Sequence, residues 1–164
     1  MIFGKPEKFA ITYDVVDSVE SDFFYGVFNF IVNDVFYPAI GSNYTLNHII
    51  PFLNAEAKYI EKSKRFYAGD MTDDELSISF SKQYGAINCL ISNLDDYFSL
   101  EKCGVDLSPL EIADKGVGLW FFCDENDCDW LLLISNYGKV VEKIAIDGAE
   151  LIELLSSVSL ENRN

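Results

Sequence analysis

Two short runs concentrate side chains that could do chemistry. "DMTDDE" carries Asp70, Asp73, Asp74 and Glu75, and "CDENDCD" carries Asp124, Glu125, Asp127 and Asp129. Clustered carboxylates can hold a divalent cation, exchange protons as an acid–base pair, or accept cationic donors from another molecule. The second run has the oxygen density of a calcium loop, but it lacks the central Gly and the distal Glu at the spacing an EF-hand needs. Acid–base catalysis needs one carboxylate in an unusual environment. With 27 Asp and Glu in the chain, close pairs arise by chance. The first run also has a structural reading, because acids in a first helical turn favour the helix dipole. The second reads equally well as a solvated turn. All eight are candidate contacts for a basic partner.

Other reactive groups are sparse. His48 is the one histidine, and beside Ile49 and Ile50 at a helix start it reads as structural. A Ser-His-Asp or Cys-His arrangement would have to use it. There is no P-loop, no G-x-S-x-G and no Rossmann glycine pattern. Cys89, Cys103, Cys123 and Cys128 form no C-x-x-C pair, so they read as buried thiols rather than zinc ligands. No catalytic residue, metal or cofactor is expected.

The charge balance points to a partner class. Against the 27 acids stand 12 Lys and Arg, a net charge of -15. Binding phosphates needs a basic footprint, so free nucleic acid is disfavoured as a ligand, and an anionic membrane for the same reason. A basic protein is favoured, its approach steered by charge. "MIFGKPEKFA" has no apolar signal core, and no apolar run reaches the length of a membrane span. The expectation is a cytoplasmic protein with one domain over residues 1–164.

These acids must be positioned by a β-rich scaffold. "FAITYDVV" alternates Phe9, Ile11, Tyr13 and Val15 against Thr12 and Asp14, which predicts a half-buried strand. "FFYGVFNFIVNDVFYPAI" (23–40) follows, with seven aromatics in eighteen positions and apolar residues on both faces. Asn33-Asp34 reads as its hairpin turn. Asn47 is placed as the cap of a helix over 48–66, with Ile49, Leu53, Ala57 and Ile60 at helical spacing. Thr72 and Glu75 form a capping box that decides for a helix over a strand at Leu76, Ile78 and Phe80. Ile87, Leu90, Ile91, Leu94 and Phe98 trace a further helical stripe, and "SPLE" (108–111) predicts a short helix capped by Ser108. "VGLWFFC", "DWLLLIS" and "KVVEKIAI", joined by tight turns, predict an antiparallel meander. A last helix is capped by Asp147 and Glu150, with Leu151, Leu154, Leu155 and Val158 on its buried face. The fold class is α+β with a mostly antiparallel sheet and three or four helices packed on it. "DWLLLIS", apolar on both faces, belongs where cover exists on each side.

"MIFGKPEKFAITYDVV" (1–16), "GVFNFIVN" (26–33), "YPAI" (37–40) and "TLN" (45–47) together resemble the start of immunity protein family forty-two. These are bacterial immunity proteins of polymorphic toxin and contact-dependent growth inhibition systems. The resemblance implies a cytosolic, non-enzymatic protein that binds and neutralises the C-terminal toxin domain of a neighbouring effector. Such toxins are often nucleases. The resemblance carries no catalytic motif and transfers no functional residues. The acidic balance, read independently, fits a basic toxin. The alternative is a small-molecule or metal-binding module, motivated by the aromatic content and the "DENDCD" cluster.

Overall fold

The computed structural model of the chain describes residues 1–19, 23–39, 41–84 and 103–160. Two antiparallel sheets and four helices occupy those residues. The first sheet runs β1 (Ile2–Lys5), β2 (Phe9–Val19), β3 (Phe23–Val32) and β4 (Val35–Tyr37), with β5 (Tyr44–Thr45) also paired to β3. The second is β6 (Val105–Asp106), β7 (Gly118–Cys123), β8 (Asp129–Ser135) and β9 (Val140–Ala145), the expected meander with β6 added at one edge. Helices α1 (Leu46–Ile60), α2 (Asp73–Tyr84), α3 (Leu110–Ala113) and α4 (Gly148–Ser157) complete the fold. The strands therefore divide between two sheets. The helical stripe at 87–98 and Cys89 lie outside the described residues.

Strand alternation builds the main core. Phe9, Ile11 and Tyr13 of β2 and Phe28 and Phe30 of β3 bury their rings and chains against Leu46, Ile49 and Leu53 of α1. Leu119 and Phe121 of β7, Leu131 and Leu133 of β8, and Leu151 and Leu155 of α4 join the same core. Phe28 meets Phe30 edge-on at 5.2 Å between ring centroids, a favoured aromatic geometry. Asn33 and Asp34 adopt φ of 49° and 64°, as a tight hairpin turn requires, and Val32 pairs with Val35 across it. On the far face of β3 the chain after β4 folds back. There the buried Asn29 side chain accepts from the Ala39 amide at 3.0 Å. Phe23, Val35 and Phe36 remain exposed.

The opposite face of the second sheet has a core of its own. Trp120 and Phe122 of β7 and Leu132 and Ile134 of β8 are buried there with Leu76 and Phe80 of α2 and with Ala68. The two-faced strand β8 is thus sandwiched, as its composition demands. Phe66 closes this core, edge-on to Phe80 at 5.2 Å and to Phe122 at 5.7 Å. The two sheets are tied at their margins, where Tyr37 Oη and Asn33 Nδ2 both donate to the Glu142 carboxylate of β9. Burial, then the bond to Glu142 and its charge, push the Tyr37 phenol up to about 12, so it stays a donor.

Three local expectations are corrected. Asn47 does not cap α1; the helix starts at Leu46 with Thr45 at its N-cap, and Asn47 Oδ1 accepts instead from the Phe24 amide at 2.6 Å. That helix ends at Ile60, so residues 61–66 are not helical. Ser108 does not cap α3, whose N-cap is Pro109; its hydroxyl accepts from the Leu119 amide at 2.9 Å. At both Asn47 and Ser108 a backbone donor on a strand holds the side chain that local pattern assigned to a helix end. The other caps follow the pattern: Asp147 accepts from the Glu150 amide at 3.0 Å, and Thr72 and Glu75 bond reciprocally.

One close approach yields a test. Gly26 pairs opposite Val15 where β2 passes through a register shift, and a Cβ at Gly26 would overlap the carbonyl oxygen of Asp14. Backbone cannot yield as a flexible side chain does. Gly26→Ala is therefore expected to lower unfolding stability by about 1–3 kcal/mol, the usual range for overpacking. Urea denaturation should show a lower midpoint at unchanged slope; an unchanged midpoint would contradict the tight pairing.

Candidate functional site

The two acidic runs, distant in sequence, meet at one edge of the second sheet. A cleft of about 230 Å³ is lined by Tyr67, Ala68, Gly69, Asp70, Asp124, Glu125, Asn126 and Lys143. One wall is the segment between α1 and α2, residues 61–72. The other is the β7–β8 hairpin tip, with Lys143 of β9 beside it. Both walls are built on the second core, through Phe66 and Ala68 on one side and Phe122 and Trp130 on the other.

The segment 61–72 is held to the sheet by backbone as well as by Phe66. The Phe66 amide donates to the Cys123 carbonyl at 2.6 Å, and Arg65 forms a parallel bridge with Cys123. Gly69 turns the chain with a φ of 50°, and a Cβ there would come within 2.9 Å of the Tyr67 ring. Asp70 follows at the cleft.

The hairpin tip is organised by Asp124. Its Oδ1 accepts from the Asn126 amide at 2.9 Å and the Cys128 amide at 3.0 Å, and its Oδ2 from the Trp130 indole at 3.0 Å. Lys143 Nζ lies 4.0 Å from the Trp130 ring centroid, a cation–π contact. Burial alone would raise the Asp124 pKa. The Trp130 indole, the Cys128 and Asn126 amides and the Lys143 charge outweigh it and hold the carboxyl below its ordinary value.

The eight predicted residues therefore differ in role. Asp70, Asp73, Asp74 and Glu125 are exposed, and their carboxylates make no hydrogen bond or ion pair among the described residues. Asp70 and Glu125 both line the cleft, while Asp73 and Asp74, which do not, stand in the first turn of α2. Glu75 accepts from the Thr72 amide at 2.8 Å and its hydroxyl at 3.0 Å; these bonds lower its pKa. Asp127 pairs with Arg65. Asp124 holds the tip together. Asp129 is half-buried, with one oxygen accepting from the Cys123 thiol at 2.9 Å and the other from the Gly148 amide at the start of α4 at 2.8 Å. Burial, then the bond to Asp129, push the Cys123 thiol up to about 11, so it is a donor rather than a nucleophile.

Tyr67, Asn126, Lys143 and Arg65 were not singled out from sequence. Arg65 and Tyr67 sit where a helix was expected to end, and Lys143 carried no signal beyond its place in an alternating strand. Among the described residues, no group of three or more His, Cys, Asp and Glu side chains is arranged to hold a metal ion. The cleft can accept cationic donors at Asp70 and Glu125, with an aromatic ring and an amide beside them.

The Asp124 network has a signed pH dependence. A carboxyl whose folded pKa lies below its unfolded one contributes stability that is present above the unfolded value and is lost as pH falls through the folded one. The Trp130 indole proton, followed by NMR, should titrate with a midpoint below about 3.9, the ordinary aspartate value. Asp124→Asn should abolish that titration. A midpoint at or above the ordinary value would show that the donors do not favour the carboxylate.

Comparison with known proteins agrees with this architecture. A crystal structure of CdiI from Burkholderia dolosa AUO158 superposes with a TM-score of 0.71 at 14% sequence identity, over 94% of this chain and 96% of that one. At that identity the likeness is one of fold. An uncharacterized protein of Pasteurella multocida (strain Pm70) is 30% identical over 175 aligned residues, covering 96% of this chain and 98% of that protein. The family model for Immunity protein 42 matches residues 1–160. On that match, which takes in both sheets and every described helix, the chain belongs to the Immunity protein 42 family.

Proposed function

We propose that this protein neutralises the toxin domain of a cognate polymorphic-toxin or contact-dependent growth inhibition effector by binding it in the cytoplasm, without catalysing a reaction. The toxin is a basic domain, and a nuclease is the class that fits best. A nuclease must present positive charge to phosphates. An inhibitor bearing carboxylates can occupy the same field and exclude the substrate. Family membership and a fold shared with a protein named CdiI support the immunity role. The observation that carries the choice of surface is the cleft shared by both acidic runs, where Asp70 and Glu125 have no partner among the described residues. Asp73 and Asp74 extend the same field along α2.

The eight predicted acids do not contribute alike in this reading. Asp70, Asp73, Asp74 and Glu125 meet the toxin directly. Asp124, Asp129 and Glu75 shape the surface, and Asp127 contributes through Arg65. Charge sets the rate of encounter, while tight packing around aromatic residues such as Tyr67 supplies affinity.

Calorimetric titration with the C-terminal domain of the effector encoded directly upstream tests this. Nanomolar or tighter binding that weakens as salt rises is expected. Asp70→Asn combined with Glu125→Gln should slow association by about tenfold at low salt, an effect of lost steering, and leave the melting temperature unchanged. Absence of binding at both low and high salt, with both proteins folded, would contradict the reading.

A further inference from the structure

We infer that Arg65 is a positioning residue for the acidic cleft: its ion pair with Asp127 joins the two walls and fixes the separation of Asp70 from Glu125. The inference rests on the reading of the cleft as the toxin-binding face. A cation on such a face is the wrong charge for a basic partner, so its presence calls for an explanation. Arg65 neutralises Asp127, one of the acids at the tip, and so weakens the field it sits in. The geometry shows what it does instead. Arg65 lies on the 61–72 wall, one residue before the amide that bonds Cys123, and its guanidinium reaches across to Asp127 at the opposite tip.

The pair is largely exposed, with 63% and 69% of the two side chains accessible, and pairs of this kind are individually weak. Here both backbones are already held. Phe66 anchors one wall in the second core, and Asp124 folds the other around its two oxygens. Less chain entropy then opposes the pairing than in an isolated surface pair. Asp127 itself has a φ of 60°, a conformation that aims its side chain from a tight turn rather than from a strand. Arg65 has no other ion pair among the described residues.

Arg65→Gln separates positioning from charge by the sign of its effect. It removes a positive charge and releases the Asp127 carboxylate, so charge alone would make the variant bind a basic domain more tightly. Positioning predicts weaker binding, by about two- to fivefold, the span of an exposed pair, with partial recovery in Arg65→Lys. The probe is the C-terminal domain of the upstream-encoded effector, titrated against the full chain. If wild type binds and Arg65→Gln binds as tightly or more tightly, the positioning role is overturned while the functional reading stands. If wild type does not bind, the functional reading fails, and the free protein still decides the role of Arg65. Backbone 15N relaxation should then show lower order parameters at 125–127 and 67–70 in Arg65→Gln than in wild type. Unchanged order parameters would overturn the inference.

Discussion

Four consecutive apolar side chains on β8, Leu131, Leu132, Leu133 and Ile134, impose the constraint on which the rest of the structure depends. All four are buried, and alternation sends them to opposite faces of one strand. Leaving a Leu or Ile in water would forfeit about 1.5–3 kcal/mol each. Both faces of the second sheet must therefore be covered. The first sheet, α1 and α4 cover one face and form the larger core. The other face takes Leu76 and Phe80 of α2 together with Phe66 and Ala68 of the preceding segment.

The acidic cleft is a consequence of that second cover. The chain must leave α1, cross the edge of the sheet and deliver α2 to its far side. In crossing, it passes the β7–β8 tip, and Phe66 and its amide hold it there. Asp70 comes to line the same cleft as Glu125 because Phe66, Leu76 and Phe80 pack where they do. Hydrophobic burial fixes where the carboxylates stand, and the carboxylates then define a field that a basic domain can recognise. The acids that face inward serve the same end: Asp124 folds the tip and Asp129 ties β8 to the start of α4.

Much of this was legible from residue pattern. The Asn33-Asp34 turn, the Thr72–Glu75 capping box, the three-strand meander and the Asp147 cap all depend on neighbours within a few positions. The errors at Asn47 and Ser108 share a cause. Each offers a polar side chain that suits a helix end, and each bonds instead to an amide on a strand distant in sequence. Asp129 is similar: its tip position suggests exposure, but its oxygens are taken by Cys123 and Gly148. The division into two sheets, and the meeting of Asp70 with Glu125, arise from tertiary packing that no local period encodes. The two-faced composition of β8, shared with the 23–40 stretch, is the local sign that cover is required on both sides.

On the proposed reading, the toxin domain docks on the cleft between the 61–72 segment and the β7–β8 tip. Amide hydrogen exchange of the full chain, alone and saturated with the C-terminal domain of the upstream-encoded effector, tests it most directly. New protection concentrated at residues 66–75 and 124–128 is the predicted result. Protection confined to the β1–β2 side of the first sheet, with the cleft exchanging as in the free protein, would contradict it.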